Sequence, residues 1–139
     1  MIMQRLTIAV LLAFFIGVAC ASSPVDDLKK RKDEKYLSLI QLIADPDKYD
    51  GDYVSIGGYL TLSREIESSL YLDENSYRHG MPNSIAIDFE DSPQEVKKRA
   101  KELNQGYVIV AGHFKAGATA LSLGELRGIY YIAPAPAIN

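Results

Sequence analysis

Apolar and polar residues alternate with period two along several stretches of this chain, and that alternation predicts half-buried strands. In the first, Val54, Ile56, Gly58, Leu60 and Leu62 share the face expected to meet a core, while Tyr53, Ser55, Tyr59 and Thr61 share the other. Leu70-Tyr71-Leu72 and Ile85-Ala86-Ile87-Asp88-Phe89 alternate in the same way and predict strands two and three. A polar loop containing His79-Gly80 and Pro82-Asn83 separates them. Elsewhere the period changes to that of a helix. Tyr36, Leu37, Leu39, Ile40, Ile43 and Ala44 form an apolar stripe ended by Asp45-Pro46, because the residue before proline is pushed out of the α region. A second helix is expected from Ser92-Pro93-Gln94-Glu95, which reads as a capping box with Pro at the first helical position. Its buried stripe is Val96, Ala100 and Leu103, and residues 104–106 stop it.

Beyond that helix the chain repeats itself. Tyr53-Val54-Ser55-Ile56-Gly57-Gly58-Tyr59-Leu60 aligns without gaps on Tyr107-Val108-Ile109-Val110-Ala111-Gly112-His113-Phe114. The copy is too short and too distant for a solenoid, so it predicts two neighbouring strands of one barrel, related by an approximate two-fold and each bent at its glycine. Ile129-Tyr130-Tyr131-Ile132 supplies a fifth strand after a loop rich in small residues. The fold class is mainly β with two helices. Three strands, a helix and two strands, with the glycine-bent strands first and fourth, resemble the OB-fold, a five-stranded partly open barrel with its helix between strands 3 and 4. The N-terminal lead-in helix, the Pro-x-x-Tyr-x-Gly that follows it and the V-x-I-x-G strand also look like those of a group of uncharacterised exported bacterial OB-like proteins.

The N-terminus has a different logic. Residues 6–19 carry no charge, follow Arg5 and end in small side chains, the layout of a secretory signal. The apolar run is short for a bilayer span, which needs about 20 residues. Cys20 is the one cysteine of the chain, so no intramolecular disulfide forms. Gly17-Val18-Ala19-Cys20 resembles a bacterial lipobox, with Gly17 where that pattern usually has Leu, and on this reading Cys20 is lipidated and becomes the mature N-terminus. Ala21 after it, in place of Asp, resembles outer-membrane sorting. The competing reading takes Ala19-Cys20-Ala21 as A-x-A, with cleavage after Ala21 releasing a soluble periplasmic protein. A lone cysteine at this boundary favours lipidation. The chain thus divides into a signal peptide (1–21), a charged tether (22–35) and a single OB-like domain (36–139). Within 139 residues there is room for one core.

Removing Arg5 with the leader lowers the 15 basic residues to 14 against 18 acidic ones, a balance of −4 that argues against a nucleic-acid partner. The carboxylates around Gly51 do not fit a calcium loop, since placing that glycine sixth puts Pro46 first and Lys48 third. His79 and His113 are too few for a zinc site and lack a nucleophile beside them. Asp88 and Glu90 share one strand face without a cleft to make them an acid–base pair. No catalytic residue, metal or cofactor is therefore expected. Lys97, Lys98, Arg99 and Lys101 read as the solvated side of the second helix. What remains is a binding surface. In OB-folds ligands meet the outer face of strands two and three, where Tyr59, Tyr71 and Asp88 are expected to project together, the rings stacking on a sugar or peptide and the carboxylate accepting hydrogen bonds. The function expected is a non-catalytic cell-envelope module, a membrane-anchored lipoprotein binding an envelope component or a protein partner. The alternative is a soluble periplasmic ligand-binding or inhibitor protein.

Overall fold

A computed structural model describes residues 33–64, 67–117 and 122–137; the signal segment, Cys20 and the tether up to residue 32 lie outside the described residues. Six strands form one sheet: β1 (Lys35–Leu37), β2 (Tyr53–Thr61), β3 (Ser69–Tyr71), β4 (Ser84–Ile87), β5 (Gly106–Ala116) and β6 (Gly124–Pro134). Their order is β1-β2-β3-β4-β6-β5, and β5 returns to pair with β2. The sheet thereby closes into a five-stranded OB-like barrel, with β1 added in parallel along β2. The β4–β6 pair is parallel and the other barrel ladders are antiparallel. Helix α3 (Gln94–Glu102) lies between β4 and β5, the place expected of it.

The internal repeat is a true structural symmetry. β2 and β5 pair from Tyr53↔His113 to Leu60↔Gly106. Exchanging each residue for its repeat partner turns the Tyr53–His113 pair into the Tyr107–Tyr59 pair and leaves Ile56–Val110 unmoved. An approximate two-fold therefore passes through that central pair. Gly58 and Gly112 are equivalent under it, and each lets another strand come close. A Cβ on Gly58 would lie 2.6 Å from the Tyr71 carbonyl oxygen and 2.7 Å from Leu70 Cγ. On Gly112 it would lie 2.8 Å from the Arg127 carbonyl oxygen and 2.9 Å from Ile129 Cδ1. Real side chains do not tolerate such distances, so backbone approach is what the two glycines provide.

Val54, Ile56, Leu60, Leu70, Ile85, Ile87, Val108, Val110, Phe114, Leu126, Ile129 and Ile132 fill the barrel. Val96 and Ala100 of α3 close one side of this core, and Leu39 and Leu42 of α1 (Leu39–Ala44) also join it. At about 25 cal/mol per Å² of apolar surface removed from water, this continuous core is the main term stabilising the fold.

Local signals redirect three of the expected elements. The lead-in helix does not begin at Tyr36. Lys35–Leu37 is a strand, and α1 starts only after Ser38, whose hydroxyl accepts the Gln41 N–H while the Gln41 side chain accepts the Ser38 N–H. This reciprocal cap sets the helix start and leaves the preceding residues free to extend. The capping box expected at Ser92 is not formed. Pro93 is the N-cap of α3, and among the described residues no side chain caps that end and the buried Ser92 hydroxyl has no hydrogen-bond partner. Ser92 sits one position too early, in a turn where its N–H donates to the Phe89 carbonyl. Finally, the polar loop before β4 contains a short helix, α2 (Glu74–Arg78), capped by the Asp73 carboxylate on the Ser76 N–H.

The acidic turn before β2 has structural employment. Asp50 accepts the Ala116 N–H, Lys35 pairs with Asp52 at 2.6 Å, and Gly51, at φ +83°, donates its N–H to the Phe114 carbonyl.

Candidate functional site: a tyrosine groove on the barrel wall

Because β2 and β5 send alternate residues inward, Tyr53, Ser55, Gly57 and Tyr59 share the outer face with Tyr107, Ile109, Ala111 and His113. β1 widens this face. Tyr36 lies beside Ser55, and Leu37 next to it packs on the core. β6 widens it from the other side through an irregularity. Between the Ala111–Tyr131 and His113–Arg127 pairs, Gly128, Ile129 and Tyr130 stand opposite Gly112 alone. Gly128 takes φ +53° to make the extra loop, and Ile129 turns fully inward. The bulge thus presents consecutive tyrosines, Tyr130 and Tyr131, on the outside, which strict alternation forbids. Of the nine tyrosines in the chain, Tyr49 belongs to the core and the other eight lie on or over this wall.

The two ends of the wall differ. At one end Tyr59 and Tyr71 are cross-strand partners, as expected from the outward alternation. They do not form an open platform. Tyr77 of α2 lies 5.9 Å from the Tyr59 ring and 5.4 Å from that of Tyr71, and Tyr107 meets Tyr59 edge-on at 5.3 Å. Tyr59 is consequently only 6% exposed. Burial, reinforced by Glu74, holds its phenol above the ordinary range. The Tyr107 hydroxyl accepts the Glu74 N–H and ties α2 down.

At the other end the wall is open. Glu34, Tyr36, Ser55, Ile109, Tyr130 and Tyr131 line a shallow groove of about 380 Å³. Tyr36 is 80% exposed and Tyr131 48%. The Tyr130 hydroxyl donates to Glu34 Oε2 at 2.7 Å, and its ring packs on Tyr53, which in turn meets His113 edge-on at 5.2 Å. Burial, then the Glu34 contact, pushes the Tyr130 phenol well above its ordinary pKa. The groove contains flat exposed rings, one carboxylate and no cation among its described lining residues. It can stack on a planar or saccharide ring and accept hydrogen bonds from hydroxyl or amide donors.

Asp88 does not join either tyrosine cluster. Tyr71 pairs with Ser84 at the start of β4, whereas Asp88 follows Ile87 at its end, about 13 Å further along at the rise of a strand. Its carboxylate accepts the Glu90 N–H, and its own N–H donates to the Leu126 carbonyl. The groove residues were invisible to alternation alone: Tyr36 sits in a stretch that also fits a helix, and Tyr130 faces outward only through the bulge. The available signal was compositional, nine tyrosines and no tryptophan. Neither a protein-family model nor any curated protein matches this chain.

Proposed function

We propose that this protein is a non-catalytic module of the cell envelope, held to the membrane by a lipid on Cys20, that binds a saccharide-bearing envelope component in the Tyr36–Tyr131 groove. The observation that carries this reading is the pair of exposed rings flanking a shallow groove whose charged group is an acceptor, Glu34. Large exposed aromatic side chains are costly to leave in water, and a sugar's apolar ring face covers them while its hydroxyls reach Glu34. The absence of lysine and arginine from the described lining residues gives a nucleic-acid backbone nothing to bind. β1, which places Tyr36, begins three residues after the last residue outside the description, so the site lies close to the end of the tether.

The test is co-sedimentation with purified peptidoglycan sacculi. Tyr36→Ala combined with Tyr131→Ala should weaken binding about thirtyfold with the melting temperature unchanged, since stacking contributes on the order of 1 kcal/mol per ring. Undiminished binding by the double variant would reject the groove. Intact mass of the membrane fraction tests the anchor: an acylated N-terminal cysteine supports it, and a soluble species beginning at Ser22 supports a freely diffusing periplasmic binder.

A further inference from the structure

A second hollow, among the described residues, is separate from the tyrosine groove. It measures about 460 Å³ and lies between the β2–β3 connection and α3. Leu62, Phe89 and Ala100 contribute apolar surface, and Ser63, Ser68, Gln94 and Asn104 contribute polar groups. Its charged lining residues are Arg64, Lys97 and Lys101, with no carboxylate among the described ones. In a chain of net charge −3 this concentration of one sign is unusual.

The hollow is built rather than accidental. Asn104 Oδ1 accepts the Leu62 N–H at 2.9 Å, and Ser68 Oγ accepts the Ser63 N–H at 3.2 Å, so both walls are fixed by side-chain bonds. Lys97 and Lys101 stand one helical turn apart on the same side of α3. Lys97 Nζ donates to the Glu90 carbonyl at 2.8 Å, which aims the ammonium and leaves two protons for another acceptor. Among the described residues Arg64 and Lys101 have no acidic partner. The volume falls within the range of small-ligand sites, about 300–1,000 Å³.

We infer that this hollow is a second binding site, which takes a phosphate ester carried on a small organic body. Arg64 supplies a planar fork for two phosphate oxygens, Lys97 and Lys101 supply point charges, and the Leu62–Phe89–Ala100 surface receives the attached carbon skeleton. A free phosphorylated metabolite and a phospholipid headgroup share this chemistry.

The experiment uses the naturally processed protein, labelled with 15N, in neutral detergent. It is titrated with glycerol 3-phosphate, and its binding to phosphatidylglycerol and to phosphatidylcholine vesicles is compared. Saturable amide shifts at residues 62–64, 97–104 and Phe89, weakened about three- to tenfold by Arg64→Gln or Lys101→Gln and unaffected by Lys98→Gln, support a site for free phosphate esters. Extra binding to the anionic vesicles that the same two variants abolish supports a headgroup site. No saturable shift together with equal binding to both vesicles, or effects of Lys98→Gln as large as those of Lys101→Gln, overturns the inference. Sacculus binding serves as the independent control, because these variants leave the tyrosine groove intact.

Discussion

The two ends of the β2–β5 ladder are equivalent inside the barrel and different outside it. Inward, the two-fold through Ile56 and Val110 places Gly58 and Gly112 in matching crowded positions, each beneath a neighbouring strand. Outward, Tyr59 is roofed by Tyr77 of α2 while Tyr107 beside it stays half-exposed, whereas the Tyr53–His113 end keeps both Tyr36 and Tyr131 in solvent. A repeat that serves folding on one face has been broken on the other by two additions, the α2 helix and the β6 bulge. The comparison teaches that similar aromatic positions can be core-like or ligand-facing according to what the adjacent loop lays over them.

The strongest way to break the inner symmetry is at the glycines. Gly58→Val and Gly112→Val should each destabilise by about 3 kcal/mol or more, because a β-branched side chain must displace backbone as well as side-chain atoms. Chemical denaturation should show losses of similar size. A large loss at one glycine and none at the other would mean that the two close approaches are not equivalent.

The outer asymmetry predicts a smaller contrast. Tyr77→Ala should cost on the order of 1–2 kcal/mol by uncovering Tyr59 and Tyr71, and Tyr36→Ala should stay within about 0.5 kcal/mol. Equal melting temperatures for the two variants would contradict the division into a covered Tyr59 and an open Tyr36.

Caps give a sharper local test of about 1 kcal/mol. Ser38→Ala removes the hydrogen bond that starts α1 directly behind Tyr36 and Leu37, so it should destabilise by roughly that amount. Ser92→Ala removes a buried hydroxyl that has no partner among the described residues and should be neutral or mildly stabilising. The reverse result would restore the capping role to Ser92.

The smallest effect concerns the open end at high pH. The raised pKa of Tyr130 means that its neutral form is favoured in the fold, so its contribution is fully present below the unfolded value near 10 and is lost as pH rises toward the folded value. Wild type should therefore lose stability above about pH 10 more steeply than Tyr130→Phe. Parallel alkaline unfolding curves would remove Tyr130 from that account.

Much of the barrel was legible because alternation and glycine placement act through strong, local sterics. The gap-free repeat located the two glycines where strands approach closely, and Val54, Ile56, Leu60, Val108 and Val110 are buried as their period demands. The lead-in helix was misplaced at its start because the stripe around Tyr36 fits two periods, and the Ser38–Gln41 capping box that decides between them overlaps it. Ser92 carries the same local pattern, yet the turn from Phe89 uses it otherwise. Asp88 could be assigned to a strand face by parity, but its distance along the sheet from Tyr71 depends on the β3–β4 register, which is set by tertiary packing. The groove itself arises where β1 and the β6 bulge come together across residues far apart in the chain.

The most direct measurement is an amide NMR titration of the processed protein with a peptidoglycan disaccharide-peptide fragment. The account predicts saturable shifts at Glu34, Tyr36, Ser55, Ile109 and Tyr131, with the roofed Tyr59 and Tyr71 silent. Shifts confined to the lead-in helix and to residues 97–101, or no saturable shift at all, would contradict it.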